Sequence, residues 1–241
     1  MNTIVLPTYN ERENLPLALR RIREIADGHD LSLHTLVVDD GSPDGTGELA
    51  DRLAQEMPDI EVLHRQRKEG LGRAYMAGFK HALAGGAENV FEMDADLSHD
   101  AAYLPDFLRR IEQGADLVLG SRYVAGGGVQ NWGLTRRFIS RGGCLYARTI
   151  LGMPVNDVTG GFKCFRRQVL EAIDLDGIQS SGYGFQIEMT YRAWQLGFRV
   201  EEVPIIFVDR ALGSSKMSGD IMVEAMVNVW RLRLSPPAKR A

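Results

Sequence analysis

The sequence predicts an α/β fold: a doubly wound, mostly parallel sheet with helices on both faces and amphipathic helices in its second half. Three observations carry that reading. Short apolar runs alternate with helical segments five times before about residue 125. The runs are continuously apolar rather than alternating, as expected of strands covered on both faces. Polar, acidic or aromatic residues follow the runs, at the strand ends where ligands bind in such sheets.

The elements follow in order. Thr3-Ile4-Val5-Leu6, closed by Pro7, reads as a buried first strand. Asn14 is placed to cap the next helix, Pro16 is tolerated in its first turn, and Leu15, Leu19, Ile22 and Ile25 recur at helical spacing. Leu36-Val37-Val38 is the second strand. It runs into the tight polar loop Asp39-Asp40-Gly41-Ser42-Pro43-Asp44-Gly45-Thr46, where Asp44 reads as a helix cap. A helix continues to about Glu56 with Leu49 and Leu53 inward, and residues 60–63 form the third strand. The basic loop Lys68-Glu69-Gly70-Leu71-Gly72-Arg73 leads into a helix that Gly85-Gly86 ends. Residues 90–93 are the fourth strand, 103–111 a helix and 117–119 the fifth strand, followed by Gly120-Ser121-Arg122-Tyr123.

The second half is less regular. Gly126-Gly127-Gly128 reads as a flexible hinge. Residues 134–151 set Leu134, Phe138, Leu145 and Tyr146 against Arg136, Arg137, Arg141 and Arg148. With Trp132 nearby, this is either an ordinary surface helix or one lying in a membrane interface. Residues 158–163 pass from loop to strand, and 185–196 form a helix ended by Gly197. Pro204 places the strand at 203–208 on a sheet edge. The last helix, 221–234, is apolar around much of its circumference, which favours burial or an interface.

Composition excludes several classes. The 241 residues are 44% hydrophobic and 25% charged, an ordinary globular balance. A net charge of −4 gives no global signal for nucleic acid. Cys144 and Cys164 have no metal-type spacing, so free thiols in a reducing compartment are expected. No signal-peptide pattern precedes the first strand, and no run of roughly 18 or more residues is apolar enough to span a bilayer. The expectation is a soluble or peripheral protein.

Chemistry concentrates in Phe91-Glu92-Met93-Asp94-Ala95-Asp96-Leu97-Ser98-His99. Asp94 and Asp96 point the same way if the strand geometry persists, and adjacent carboxylates call for a compensating cation. Hard Mg²⁺ or Mn²⁺, completed by substrate phosphates, is one answer; a polar loop with Asp96 as a helix cap is the other. A dinucleotide-dependent oxidoreductase would need a glycine-rich turn where this chain has Pro7-Thr8-Tyr9-Asn10-Glu11. An aspartyl-nucleophile phosphatase fails because Ser42 stands at the nucleophile's position. Nucleotide-sugar-dependent glycosyl transfer finds a partner for each part of its donor. Tyr9 can stack on base or ribose, Glu11 and Asp40 can accept from N–H and hydroxyl groups, and the acidic pair can hold the metal beside the departing diphosphate. Arg122, Arg210 and Lys216 can stabilise the charge that grows there.

The ordered set of motifs resembles the family 2 glycosyltransferases of the GT-A fold type, and among them the dolichol-phosphate mannosyltransferase, or polyprenol monophosphomannose synthase, group. The motifs are Leu6-Pro7-Thr8-Tyr9-Asn10-Glu11-Arg12-Glu13-Asn14, the loop 38–46, Met93-Asp94-Ala95-Asp96-Leu97-Ser98-His99 and Gly120-Ser121-Arg122-Tyr123. Ile139-Ser140-Arg141-Gly142, Asp157-Val158-Thr159-Gly160-Gly161-Phe162, and Val208-Asp209-Arg210 with Gly213-Ser214-Ser215-Lys216 complete the set. It spans about residues 4–230.

The resemblance implies one GT-A domain over 1–235, with a nucleotide-binding half to about 125, an acceptor-binding half over 126–235 and a tail at 236–241. It implies inverting transfer of mannose from GDP-mannose to a polyprenyl (dolichyl-type) monophosphate, for later glycan, lipoglycan or protein mannosylation. Carried over by position, Pro7, Tyr9, Glu11, Val38 and Asp40 hold the guanosine, Asp94, Ala95 and Asp96 meet donor and metal, and Asp96 is the firmest ligand of one Mg²⁺ or Mn²⁺. Arg122 lies between donor and acceptor phosphate, Arg136 and Ser140 bind the acceptor phosphate, and Arg210 and Lys216 close over the diphosphate. Ser98 stands where some relatives carry a glutamine that reaches the metal, and is too short to do so. Many relatives add a C-terminal transmembrane region that this chain lacks. The implied setting is therefore peripheral, on the cytoplasmic face of a membrane, with a possible membrane-anchoring partner. A phosphate acceptor is already anionic and needs no dedicated base, but it must be brought to an anionic donor, which calls on Arg122, Arg136 and Arg141. The rival readings are a UDP-glucose-dependent polyprenyl-phosphate glucosyltransferase and a non-catalytic, nucleotide-binding regulatory subunit of a membrane complex.

Overall fold

The structure, a computed structural model, describes residues 1–178, 180, 182–209 and 219–235, without side chains at 219–224. The expected sites Arg210 and Lys216 lie outside the described residues. Strands and helices alternate as β1 (Asn2–Thr8), α1 (Leu15–Gly28), β2 (Leu33–Asp39), α2 (Thr46–Glu56), β3 (Ile60–His64), α3 (Leu71–Ala84) and β4 (Asn89–Glu92). Then come α4 (Leu104–Glu112), β5 (Leu117–Ser121), β6 (Gly128–Gln130), α5 (Leu134–Leu151), β7 (Lys163–Arg166) and α6 (Arg167–Ala172). The last elements are α7 (Gly182–Gln195), β8 (Val200–Pro204), β9 (Ile206–Val208) and α8 (Gly219–Leu234).

A seven-stranded sheet runs in the order β3-β2-β1-β4-β7-β5-β8, and β6 pairs with β9 in a separate ribbon. Every pair in the larger sheet is parallel except those of β7, which lies antiparallel between β4 and β5. The core is two apolar layers, one on each face. Along β1, Val5 faces the layer with α3, α5 and α7, while Ile4 and Leu6 face the layer with α1 and α4. Helix α3 lies so close to β1 that a Cβ on Gly78 would stand 2.3 Å from Val5 Cγ1.

Several boundaries differ from the expectation. Pro7 lies inside β1, opposite Val38, rather than closing the strand. Met93 N–H donates to Val5 O, so Val5 and Pro7 turn toward β4, whose pairing stops at Val5–Glu92. The missing proline N–H therefore deprives no ladder partner. Asn14 does not cap α1 through its side chain; its Nδ2 donates to Glu11 Oε2 at 2.7 Å. Asp44 does serve the start of α2, accepting from Thr46 N and Oγ1 at 3.0 and 2.6 Å. The glycine run is packed rather than a hinge: Gly127 N–H donates to Val124 O, and a Cβ there would stand 2.4 Å from Ser121 O. Pro204 does end an edge strand, β8, and the chain then crosses into β9.

Helix α5 reverses the usual sense of an amphipathic helix. Its inward residues are Cys144, Ala147 and Leu151, whereas Leu134, Phe138 and Leu145 are 73%, 76% and 60% exposed. Helix α8 packs against it, buries Val229 and Leu232, and leaves Met226, Val227, Trp230 and Leu234 outward. No helix among the described residues is long and apolar enough to cross a membrane.

A buried polar group lies beneath the acidic loop. Lys163 Nζ donates to Gln186 O at 2.9 Å and to Gln186 Oε1, Gln186 Nε2 donates to Glu92 Oε1, and Lys163 Nζ is 3.9 Å from Glu92 Oε2. Burial pushes the Glu92 carboxyl up to about 7 and the Lys163 ammonium down to about 8, each against the pull of the other. In the folded chain Glu92 holds a proton that the unfolded chain has lost, so its contribution falls as pH rises from its ordinary value toward 7. Lys163 lacks a proton that the unfolded chain keeps, so its contribution rises above pH 8. Relative to a Glu92→Gln/Lys163→Met variant, urea unfolding should show wild-type stability lowest between pH 7 and 8. A pH-independent difference would contradict this.

Candidate active site

Beyond the carboxyl ends of β1, β2, β4 and β5 lies a cavity of about 430 Å³. Pro7, Tyr9, Glu11, Asp40, Asp94, Ala95, Asp96, Arg122 and Arg136 all line it. Nine separately expected residues thus meet in one place: parallel strands deliver their ends and following loops to one side, and α5 adds Arg136. Two further expected residues stand outside its wall. The Val38 side chain is fully buried in the core and is absent from the cavity wall, so only its backbone remains for a ligand. Ser140 lines a different, neighbouring cavity and accepts from Tyr123 OH at 2.7 Å. Arg141, offered as a third cation, is exposed on α5 and lines neither cavity.

At the β1–β2 end of the cavity, Lys68 Nζ lies 3.9 Å over the Tyr9 ring. Arg65 Nη1 pairs with Asp40 Oδ1, and its Nη2 donates to Glu69 Oε2 at 2.7 Å. Burial raises the Asp40 carboxyl against the lowering effect of Arg65. Asp39 turns the loop instead, accepting from Ser42 Oγ and N at 2.6 and 3.1 Å.

The acidic loop is braced from three sides. Tyr75, fully buried in α3 and stacked on Phe185, donates its hydroxyl to Asp94 Oδ1 at 2.8 Å. Ser98 donates both Oγ–H and N–H to Asp96 Oδ1, at 2.5 and 3.1 Å. Asp94 N–H donates to His99 Nδ1 at 3.0 Å, which puts the neutral ring's proton on Nε2. The His99 ring stacks on Phe162, so this histidine shapes the loop rather than offering Nδ1 to a metal. Leu97 takes a left-handed φ of 64°, a strained conformation for a γ-branched side chain that functional loops often hold.

Both carboxylates fit a hard divalent ion. Each has Oδ1 oriented by a hydroxyl donor, the donor set is oxygen alone, and burial with the nearby carboxylates holds Tyr75 protonated far above the ordinary phenol range. No group of three or more His, Cys, Asp or Glu among the described residues could hold a metal. Two carboxylates leave most of an octahedral shell to donor oxygens and water. Removing the Tyr75 hydroxyl with Phe should therefore raise the metal concentration for half-maximal activity roughly three- to tenfold, since one neutral hydrogen bond to the ligand is lost. An unchanged metal titration would show that Tyr75 only packs.

Arg122 is held from behind. Its Nε and Nη2 each donate to Asp157 at 2.6 Å, its N–H donates to the same carboxylate at 3.0 Å, and Nη2 also reaches Thr159 Oγ1 at 2.9 Å. Asp157 is fixed in turn, since Glu202 of β8 accepts from the N–H groups of Asn156 and Asp157. Burial is the largest effect on each and opposes its charge, yet the partner's charge and the hydrogen bonds together outweigh it: Asp157 titrates below its ordinary range and Arg122 stays charged. Nη1 has no hydrogen bond among the described residues. The spacing of sequence motifs marked Asp157 but gave it no role; Tyr75, in mid-helix, carried no local signal.

The neighbouring cavity, about 310 Å³, is apolar and lies among α5, α7 and α8, with Phe138, Tyr146, Ile187, Met226 and Val229 in its wall. Trp132, Thr159 and Tyr183 line both cavities.

The profile described as glycosyl transferase family 2 matches residues 3–174. An undecaprenyl-phosphate mannosyltransferase of Micrococcus luteus is 52% identical over 231 residues, covering 96% of this chain and 93% of that protein. A polyprenol monophosphomannose synthase of Mycolicibacterium smegmatis is 50% identical over 233 residues, covering 95% and 86%. Among solved structures, glucosyl-3-phosphoglycerate synthase from Mycobacterium tuberculosis, in complex with Mn²⁺, UDP-glucose and phosphoglyceric acid, aligns with a TM-score of 0.72 at 17% identity, covering 99% of this chain and 81% of that one. That likeness supports the GT-A type of fold.

Proposed function

We propose that this chain, which belongs to glycosyl transferase family 2, transfers mannose from GDP-mannose to a polyprenyl monophosphate with inversion at the anomeric carbon. The names of the two half-identical relatives support the sugar and the acceptor class. The observation that carries the reading is the pair of adjoining cavities. One is lined by carboxylates and cations suited to a nucleotide diphosphate sugar, the other is apolar, and they share Trp132, Thr159 and Tyr183. A lipid phosphate needs both: an apolar groove for its chain and a charged junction for its head.

Asp94 and Asp96 would hold Mg²⁺ or Mn²⁺, which when bound supplies positive charge to the leaving diphosphate. The chain's own groups do the rest. Tyr9, Glu11 and Asp40 hold the nucleoside end, and Arg210 and Lys216 take the diphosphate in the same proposal. Arg122 offers Nη1 at the junction, where it offsets repulsion between the incoming phosphate and the donor. The phosphate monoester oxygen attacks carbon 1 of the sugar as the bond to the diphosphate breaks, and no carboxylate has to remove a proton.

The outward apolar residues of α5 and α8 flank the apolar cavity, which supports peripheral seating on a membrane surface with the cavity mouth toward lipid. The cytoplasmic face and a membrane-anchoring partner belong to the same proposal. Donor choice is tested by parallel turnover with GDP-mannose and UDP-glucose at equal concentration. At least a tenfold preference in kcat/KM for GDP-mannose is expected, a discrimination of the size that base-reading hydrogen bonds give. Preference for UDP-glucose would overturn the donor assignment.

A further inference from the structure

Among the described residues, two buried nitrogens beside the junction of the cavities have no hydrogen-bond partner: Nε1 of Trp132 and Nε of Arg136. Native proteins rarely leave buried donors unsatisfied, and such groups point to something that binds there. Trp132 is only 7% exposed and lines both cavities. The Arg136 guanidinium lies 4.1 Å over its ring and covers it. Arg136 is held in that position by Asp209, whose Oδ2 accepts from Nη1 at 2.6 Å.

The ribbon of β6 and β9 brings these groups together. Gln130 pairs with Val208, and Asp209 N–H donates to Gln130 O. Trp132 and Asp209 therefore leave the same end of the ribbon. Phe207 of β9 packs edge-on against Trp132 at 5.5 Å and against His99 of the acidic loop at 5.7 Å. A change at Trp132 is thus one ring away from the loop that carries Asp94 and Asp96.

We infer that Trp132 is an acceptor-positioning residue whose indole N–H, with Arg136 Nε–H, receives the lipid phosphate, and that the Asp209 carboxylate occupies the phosphate's place on Arg136 until the lipid arrives. The inference rests on the acceptor class proposed above. A phosphate monoester carries more charge and more acceptor oxygens than a carboxylate, so it displaces Asp209 from the guanidinium. As Arg136 turns to the phosphate, its Nε–H finds an oxygen and the indole N–H is uncovered for another. No covalent bond changes; one anion replaces another.

The test uses the full chain with labelled indole nitrogen and farnesyl monophosphate as probe, with farnesol and inorganic phosphate as controls. The chain has three tryptophans, and Trp132→Phe identifies the signal. The Trp132 N–H resonance should move downfield to saturation with farnesyl monophosphate, move the same way with more inorganic phosphate, and stay unmoved with farnesol. Trp132→Phe should raise the acceptor KM roughly ten- to hundredfold, the worth of a hydrogen bond to a charged group, and by more than it raises the donor KM. Asp209→Asn should lower the acceptor Kd roughly three- to tenfold by removing the competing charge. A Trp132 signal that stays still while phosphorus NMR reports bound farnesyl phosphate would overturn the inference, as would weaker acceptor binding in Asp209→Asn. Mannose transfer with a stationary signal would sink this inference and leave the transferase reading standing; a moving signal without transfer to any acceptor would do the reverse.

Discussion

Asp96→Asn is expected to lower turnover roughly a thousandfold or more while the fold stays close to intact. The substitution keeps size and shape, and Ser98 can still donate its hydroxyl and N–H to the remaining carbonyl oxygen, as it does to Asp96 Oδ1. What disappears is one of the two negative charges at the end of β4. In the proposed mechanism a hard divalent ion would then lose one of its two protein ligands, and the leaving diphosphate the charge that offsets its own. Several kcal/mol of transition-state stabilisation are at stake, at about 1.4 kcal/mol per tenfold in rate. Steady-state kinetics across a Mg²⁺ and Mn²⁺ titration, with thermal unfolding of the same sample, separates the two effects. Turnover within tenfold of wild type at saturating metal would remove Asp96 from the metal site and favour a purely structural carboxylate.

Asp157→Ala should have the largest effect on stability. Asp157 holds Arg122 through its Nε, Nη2 and N–H groups, and the pair is almost wholly buried. Removing one partner of a buried pair strands the other charge, at a cost of about 3–5 kcal/mol. For a chain of this size that corresponds to a fall in Tm of roughly 10 °C. Activity should fall with it, because Arg122 loses the hold that fixes its guanidinium beside Thr159 in the cavity wall. An Asp157→Ala/Arg122→Met double variant should recover much of the stability and none of the activity. Because Asp157 titrates below its ordinary range when folded, its contribution is present at neutral pH and lost as the solution is acidified. The single variant should therefore lack part of the acid-destabilising limb seen in wild type. A single variant as stable as wild type would mean that Arg122 finds another anion.

The sheet was legible from sequence because its strands are buried on both faces and need continuous apolar runs, as at Ile4 to Leu6 and Leu36 to Val38. The cavity was legible because parallel strands send their following loops to one side, so Tyr9, Asp40, Asp94 and Arg122 could be placed together without coordinates. Orientation was not. A strand-end residue such as Val38 points inward or outward according to register, and register is set by a partner strand far away in sequence. The amphipathic pattern of α5 gave its two faces but not which one meets the core; the inward face is the small one of Cys144 and Ala147, which joins the core layer shared with α3, α7 and α8. Antiparallel β7 carries no local mark of its direction. Bracing groups such as Tyr75 and Asp157 act across 19 and 35 residues of chain, and no local pattern announces them.

In the function proposed above, the acidic cavity and the apolar one serve a single transfer, from nucleotide sugar to lipid phosphate. Incubating the chain with radiolabelled GDP-mannose and farnesyl monophosphate, with and without chelator, tests it most directly. Label should pass into the organic-extractable lipid fraction, disappear with chelator and return with Mg²⁺ or Mn²⁺. Lipid label that is indifferent to chelator would contradict the metal role of Asp94 and Asp96, and no lipid label with either metal would contradict a transfer shared by the two cavities.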